Sequence, residues 1–251
     1  MQLHAVIEGS GPRLALLHPV GLNGGFLTAL AQRLTPHFTV MRIDLRGHGQ
    51  SALEPLASSM AEFADDVHDT LLAHRFMPCA VAGFSFGSMT AQELAIRHPA
   101  SVSALMALAG PCTFDDSLRP ALAKRGTDAL VHGMDAVIEA TLARWFTPEF
   151  RHAPDALAAR QHLLDSDPRG WAQGWRAISQ LHTEPRLSGL RIPALCIGGE
   201  RDVSSTPADV RKIAAAIPGA VYQEMPGAPH MLFIEQPDET AKRLIAFLSG
   251  L

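Results

Sequence analysis

The sequence predicts an α/β protein built on a mostly parallel, doubly wound sheet. Two observations support this prediction. Short apolar segments alternate with amphipathic helical segments along the chain, which is the pattern of strand, helix and strand in a parallel sheet. The later apolar segments are hydrophobic throughout, as is typical of strands covered on both faces. A chain of 251 residues is long enough to form one large domain of this class.

Seven segments have the composition of strands. They are LHAVIE at 3–8, RLALLH at 13–18, FTVMRID at 38–44, CAVAG at 79–83, VSALMALAG at 102–110, IPALCIGG at 192–199 and AVYQEM at 220–225. The first two are separated by GSGP, so we expect them to form an antiparallel hairpin at one edge of the sheet. From the third segment onward we expect parallel strands.

Amphipathic segments lie between these strands. They cover roughly 25–35, 60–76, 86–98, 207–217 and 238–249. Pro207 and Pro237 mark the beginnings of the last two, because proline is favoured in the first turn of a helix. Strand and helix therefore alternate over most of the chain.

The region 111–186 interrupts this alternation. It has helical patterns such as DAVIEATLARWF and DALAARQHLLDS, no convincing strand, and all three tryptophans. We therefore expect a helical cap at 111–186, inserted into a core formed by 1–110 and 187–251. The alternative is that these helices simply cover one face of the sheet.

Composition favours a small molecule as the partner. No apolar segment approaches the ~20 residues that cross a bilayer, so a membrane is not expected. A net charge of −4 without a basic cluster argues against nucleic acid.

The N-terminus lacks the features of a secretory signal, so we expect a cytoplasmic location. The three dispersed cysteines are expected to be small core residues, and the oligomeric state is left open.

The segment VAGFSFGSMT places Ser85 between two glycines, where a strand ends and a helix begins. This G-x-S-x-G pattern is typical of a sharp turn that presents a nucleophilic serine. Such a serine needs a base, and His230 lies in the loop after the last strand, where the base is required. Asp202, after the preceding strand, is the expected carboxylate partner of the histidine. Glu200 and Glu235 are alternatives.

A fourth loop, from His18 to Gly21, is expected to lie beside the serine turn. The backbone N–H groups of Val20 and Phe86 are the expected donors to the oxyanion of a tetrahedral intermediate. We interpret His18 as a structural residue of the loop. No metal or organic cofactor is expected, because the chain lacks HExxH, paired cysteines and a G-x-G-x-x-G phosphate loop.

Together these motifs resemble the α/β-hydrolase superfamily. They are LHPVG, RIDLRGHGQS at 42–51, AGFSFG, GGERD and GAPHMLFIEQP. The resemblance implies the α/β-hydrolase fold and the chain order of nucleophile, acid and histidine found there. The fold alone does not name a reaction, because it hosts several.

Two segments of the expected cap, 133–151 and 167–182, are similar to 3-oxoadipate enol-lactonases. In that family an arginine and a tryptophan of the RWFTP segment meet the substrate, which here implies Arg144 and Trp145, with Arg176 a lesser alternative. An arginine would suit the free carboxylate of such a lactone. Two positions depart from the family: Ser88 replaces a usual glycine, and Phe26 stands where tryptophan is common.

The expected function is a serine hydrolase that cleaves a lactone or carboxylic ester through an acyl-enzyme, with 3-oxoadipate enol-lactone or a related lactone as substrate. A carboxylesterase or C–C bond hydrolase with the same three residues is the alternative. A small-molecule receptor without turnover, built on the same fold, is a more remote alternative.

Overall fold

The structure is a computed structural model that describes residues 1–57 and 59–251. Each of the seven expected strand segments forms a strand, and the seven belong to one sheet. The strands are β1 (Ala5–Gly9), β2 (Arg13–Leu17), β3 (Thr39–Ile43), β4 (Cys79–Phe84), β5 (Val102–Leu108), β6 (Ala194–Gly199) and β7 (Val221–Met225). Their order across the sheet is β1-β3-β2-β4-β5-β6-β7, and every pair except β1 with β3 is parallel. The predicted fold class is confirmed.

The prediction of a hairpin between the first two strands was wrong. β1 pairs antiparallel with β3, so that Ala5 lies opposite Ile43, whereas β2 lies between β3 and β4. Gly9 and Gly11 have positive φ and pack against the backbone just before β3, which carries the chain past that strand. The physical reason is burial, since β2 is almost wholly buried and suits the interior of the sheet, whereas the largely exposed β1 suits its edge.

Helices cover both faces of the sheet. They are α1 (Thr28–Leu34), α2 (Met60–Ala73), α3 (Phe86–Arg97), α4 (Arg119–His132), α5 (Asp135–Trp145), α6 (Pro154–Asp165), α7 (Pro168–Ser179), α8 (Glu184–Leu187), α9 (Pro207–Ala216), α10 (Leu232–Glu235) and α11 (Pro237–Ser249). The helices expected from the sequence occur within a few residues of their predicted limits, except that Gly24–Leu27 forms a 3-10 turn before α1.

The segment between β5 and β6 is helical, as expected. The structure describes all of 111–186, which contains α4 to α7, the start of α8 and one isolated bridge from Thr113 to His182. α4 and α7 pack closely, since a Cβ on Gly126 would lie 2.9 Å from the Cα of Ala172. The indole of Trp171 donates a hydrogen bond to the carbonyl of Arg125, at 3.0 Å. The limits of this insertion as a separate unit, 111–186, stay a prediction.

His18 holds the loop after β2 in place. Its ring is fully buried, its Nδ1 lies 2.7 Å from the Pro19 carbonyl oxygen, and its Nε2 accepts the backbone N–H of Leu45 at 2.8 Å. Burial, followed by the nearby His48 ring, lowers the pKa of His18 to about 3. The ring is therefore neutral and ties two strand-end loops together, which supports its interpretation as a structural residue.

We predict that His18 makes stability depend on pH. Burial lowers the pKa of His18 to about 3 and that of His48 to about 4, whereas both rings regain the ordinary value of 6.5 on unfolding. The unfolded chain therefore binds more protons below pH 6.5. The free energy of unfolding should fall as pH drops from 6.5 toward 4, by up to about 1.4 kcal/mol per pH unit for each ring.

Urea unfolding at a series of pH values measures this slope. His18→Asn should be less stable than the wild type at pH 7 but should lose less stability on acidification. His132→Asn, which changes an exposed histidine, is the control and should keep the wild-type slope. An unchanged slope in His18→Asn would contradict the assignment of a neutral buried ring.

Candidate active site

Ser85 lies in a sharp turn between β4 and α3. Its φ is +54° and its ψ −112°, a conformation that is unfavourable for a residue with a Cβ. Its N–H donates to the carbonyl of Leu108 at 2.9 Å. A Cβ on Gly83 would collide with the carbonyl of Gly87, and a Cβ on Gly87 with the carbonyl of Leu17. The turn therefore requires both glycines of the G-x-S-x-G pattern.

Hydrogen bonds connect Ser85 to a histidine and an aspartate. The Oγ of Ser85 lies 2.9 Å from Nε2 of His230, and Nδ1 of His230 lies 2.8 Å from Oδ2 of Asp202. Because an ionised carboxylate only accepts, Nδ1 carries the hydrogen and donates it to Asp202. Nε2 is then left to accept the hydroxyl hydrogen of Ser85. All three side chains are buried, so a basic nitrogen is held against the serine hydroxyl away from bulk water.

Asp202 is fixed by its own loop. Its second oxygen, Oδ1, accepts the backbone N–H groups of Ser204 at 2.7 Å and of Ser205 at 2.9 Å. Both carboxylate oxygens are therefore engaged, one by the histidine and one by the backbone. This arrangement holds the carboxylate in one orientation and stabilises its negative charge.

The two alternative carboxylates are bonded elsewhere. Glu200 accepts the backbone N–H of Gly227 at 2.7 Å. Glu235 accepts the N–H and the hydroxyl of Thr147, at 2.7 and 2.9 Å, and burial raises the pKa of Glu235 above its ordinary value. Of the three carboxylates considered from the sequence, the structure brings Asp202 to His230.

Two contacts join the loop of His230 to the end of α5. The N–H of Met231, directly after the histidine, donates to the carbonyl of Trp145 at 3.0 Å. The bonds from Thr147 to Glu235 form the second contact. The position of the histidine loop therefore depends on the helical insertion as well as on the sheet.

The two expected oxyanion donors are free of other acceptors. Phe86 is the first residue of α3, where helix geometry leaves backbone N–H groups without a partner in the helix. Within residues 1–57 and 59–251, neither its N–H nor that of Val20 donates a hydrogen bond. Val20 also lines a cavity together with Ser85. Both N–H groups thus lack an acceptor among the described residues, as an oxyanion donor must, and that of Phe86 lies at the positive end of α3.

The serine turn opens into a cavity of about 200 Å³ between the sheet and the helical insertion. Val20, Ser85, Met89, Ser204, Ser205 and His230 line it from the sheet side, and Phe114, Leu122, Arg125, Asp128, Ala136, Val137, Ala140, Thr141, Arg144, Trp145, Trp171, Trp175 and Ile178 line it from the insertion. The lining is mostly apolar, with a few polar groups, as is usual for a small-molecule site.

Arg144 and Trp145 both line this cavity. Trp145 is buried, whereas Arg144 is exposed, and its guanidinium makes no hydrogen bond or ion pair within the described residues. Arg176 lines a separate depression with Arg169 and Leu56. The arginine and tryptophan implied by the resemblance therefore line the same cavity as Ser85, and the lesser alternative does not.

The sequence interpretation missed Arg125, another arginine of the cavity. Its guanidinium lies over the ring of Trp175, 4.6 Å from the ring centroid. No motif marks this position. The available signal was helical spacing, since Arg125 comes three residues after Leu122 and shares its face of α4.

The two departures from the family pattern do not line the cavity. Ser88 is fully buried against Gly110, and its Oγ has no hydrogen-bond partner among the described residues. Phe26 packs on the ring of His162, with the centroids 5.2 Å apart. A substitution at either position would therefore reach the cavity only through neighbouring side chains.

Two further features concern the whole described part of the chain. No group of three or more His, Cys, Asp or Glu side chains in residues 1–57 and 59–251 is arranged to hold a metal ion. Within the same residues, no helix has both the length and the apolar character needed to span a membrane. The three cysteines are unpaired and buried, as expected for core residues.

Comparison with known proteins places these features in a family. The family model of the alpha/beta hydrolase fold matches residues 15–237. A pimeloyl-[acyl-carrier protein] methyl ester esterase of Chromobacterium violaceum is 31% identical, over 99% of this chain and 98% of its own. 3-Oxoadipate enol-lactonase 1 of Acinetobacter baylyi is 25% identical, over 96% and 90%.

A solved structure is also similar to this chain, in both fold and sequence. The crystal structure of the enol-lactonase from Burkholderia xenovorans LB400 superposes with a TM-score of 0.92 at 29% identity, over 98% of this chain and 96% of that one. The likeness covers the sheet and the helical insertion alike. With the family model matching most of its length, this chain belongs to the α/β-hydrolase family.

Proposed function

We propose that the protein is a serine hydrolase that cleaves a lactone or carboxylic ester through an acyl-enzyme. The observation that carries the proposal is the hydrogen-bonded series from Ser85 through His230 to Asp202 at the wall of a cavity. A serine hydroxyl becomes an effective nucleophile when a histidine in hydrogen-bond contact accepts its proton.

In the first half of the proposed reaction, Nε2 of His230 takes the proton as Oγ of Ser85 attacks the ester carbonyl carbon. The N–H groups of Val20 and Phe86 stabilise the negative oxygen of the tetrahedral intermediate. Asp202 stabilises the imidazolium that forms. The intermediate collapses, His230 gives its proton to the departing alkoxide, and the acyl group remains on Ser85.

The second half repeats these steps with water. His230 accepts a proton from the water as its oxygen attacks the acyl carbon, and the same N–H groups stabilise the second intermediate. The bond to Ser85 then breaks, and the histidine returns its proton to Oγ. A lactone gives one ring-opened hydroxy or oxo acid, and an open-chain ester gives an acid and an alcohol.

For the substrate, we propose 3-oxoadipate enol-lactone or a related lactone. The likeness to two enol-lactonases supports this choice, as does the presence of Arg144 and Trp145 in the lining. The cavity is small enough to favour a compact acyl group. An exposed arginine at the cavity suits a free carboxylate, because its planar N–H groups can make two parallel hydrogen bonds.

A second candidate is the hydrolysis of the methyl ester of an acyl chain. The likeness to a pimeloyl-[acyl-carrier protein] methyl ester esterase, 31% identical over nearly the whole chain, favours it. The same serine, histidine and aspartate would perform this reaction. The two candidates therefore differ in the acyl group rather than in the mechanism.

We predict that Ser85→Ala abolishes hydrolysis. Because the nucleophile is lost, kcat should fall by about 10⁴-fold or more, with the fold intact. A fluorophosphonate probe should label Ser85 in the wild type and leave the variant unlabelled, as read by mass spectrometry. Normal turnover by Ser85→Ala would refute the mechanism. An unlabelled wild type without esterase activity would instead indicate a receptor.

A substrate panel distinguishes the two candidate substrates. We expect kcat/KM to be higher for 3-oxoadipate enol-lactone than for monomethyl pimelate or p-nitrophenyl acetate, each measured with purified protein. The Ser85→Ala variant supplies the background rate for every substrate. A clear preference for the methyl ester would refute the enol-lactone proposal and support the second candidate.

We predict that Arg144→Ala weakens turnover of carboxylated substrates selectively. Because Arg144 is exposed and its charge is screened, kcat/KM for the enol-lactone should fall by about 10-fold, with little change for p-nitrophenyl acetate. Arg160→Ala is the matched control, since Arg160 is a partly exposed arginine of α6 paired with Glu139. Equal losses for both substrates would mean that Arg144 supports the structure rather than the substrate.

A further inference from the structure

Arg125 is a cation of the cavity without an anionic partner. It lies on α4 and is half-buried, with its guanidinium over the ring of Trp175. Within residues 1–57 and 59–251, the guanidinium makes no hydrogen bond and no ion pair. Trp175 cannot supply an acceptor, because an indole has only a donor. The ring therefore positions the guanidinium without satisfying its five N–H groups.

No neighbouring carboxylate among the described residues pairs with the positive charge of Arg125. Asp128 is an acidic residue of the lining, but its carboxylate pairs with the exposed Lys124. Burial, and next the guanidinium of Arg144, lower the pKa of Arg125 to about 10. Two cations thus lie close together in one part of the lining, and burying an unpaired charge in this way is unfavourable.

An anion in the cavity would remove this imbalance. A carboxylate can accept two parallel hydrogen bonds from a guanidinium, and such bonds are strong where water is largely excluded. Ser85 and His230 line the same cavity, so one small ligand can meet both the nucleophile and the arginine. The ring of Trp175 holds the guanidinium in place before the ligand arrives, which reduces the entropy lost on binding.

We propose that Arg125 binds a carboxylate that the substrate carries in addition to its scissile ester, so that the enzyme selects acidic esters and lactones. This inference rests on the proposed function, because it assigns the anion to a substrate of Ser85. It adds a specificity residue on α4 to the α5 residues that the family resemblance implied. Arg125 is the half-buried contact and Arg144 the exposed one.

The kinetic test compares two esters that differ by one charge, monomethyl adipate and methyl hexanoate. Arg125→Gln should lower kcat/KM for monomethyl adipate by about 10- to 100-fold and change that for methyl hexanoate by less than about 2-fold. Arg125→Lys keeps the charge but cannot make two parallel hydrogen bonds to one carboxylate. Its kcat/KM for monomethyl adipate should therefore lie between those of the wild type and Arg125→Gln. Arg160→Gln removes a partly exposed arginine outside the lining, whose partner Glu139 also lies outside it, and should leave both rates unchanged.

A binding test separates this inference from the proposed function. Adipate should bind to the Ser85→Ala variant, as measured by calorimetry, and adding Arg125→Gln should raise its Kd by about 10- to 100-fold. The neutral analogue adipamide should be unaffected by the arginine. This measurement needs no turnover and detects the anion site directly.

The outcomes are distinct. Equal losses for both esters, or adipate binding that does not change in Arg125→Gln, would overturn the assignment and leave Arg125 as a packing residue of Trp175. If neither ester is hydrolysed by the wild type but adipate binding depends on Arg125, the anion site stands and the proposed hydrolysis fails. A selective loss of kcat/KM for monomethyl adipate, together with weaker adipate binding in Arg125→Gln, would support both the anion site and the proposed hydrolysis.

Discussion

The strained backbone of Ser85 is the constraint on which the rest of the site depends. A positive φ at a serine costs about 1–3 kcal/mol, and the surrounding structure must hold it. β4 ends directly before this residue, α3 begins directly after it, and Gly87 brings α3 into contact with the carbonyl of Leu17. The same turn gives the hydroxyl its direction and frees the N–H of Phe86. The proposed nucleophile and one of its oxyanion donors are therefore fixed by one local conformation, which any side chain at Gly83 or Gly87 would disrupt.

Charge is unevenly distributed around the cavity. The negative charge of Asp202 lies behind His230 and is taken up by that ring and by two backbone N–H groups. The guanidinium groups of Arg125 and Arg144 lie on the side of the helical insertion and have no such partners among the described residues. Under the proposed function, this polarity orients an acidic ester with its carbonyl toward the sheet and its carboxylate toward the insertion. In this proposal, the helical insertion supplies the selectivity and the sheet supplies the catalytic groups.

The sequence predicted most of this arrangement because its signals are local. Buried parallel strands appear as continuous apolar segments, and the turn at Ser85 needs its glycines, so both can be recognised without knowing the rest of the fold. The edge strand was misplaced because its partner is chosen by long-range burial, which the short GSGP connection does not reveal. Arg125 was missed for a related reason. Which face of α4 meets the cavity depends on how α4 packs on α7, and an arginine in an amphipathic helix otherwise looks like a solvated charge.

The bond from Met231 to Trp145 has a mechanical consequence. This hydrogen bond joins the end of α5 to the loop that carries His230. The hydrogen bonds from Thr147 to Glu235 join the same two segments a second time. A displacement of α5 away from the sheet must therefore break these bonds or pull the histidine from the serine. The end of α5 therefore acts as a support for the histidine loop, and the distance between His230 and Ser85 depends on where this part of the insertion lies.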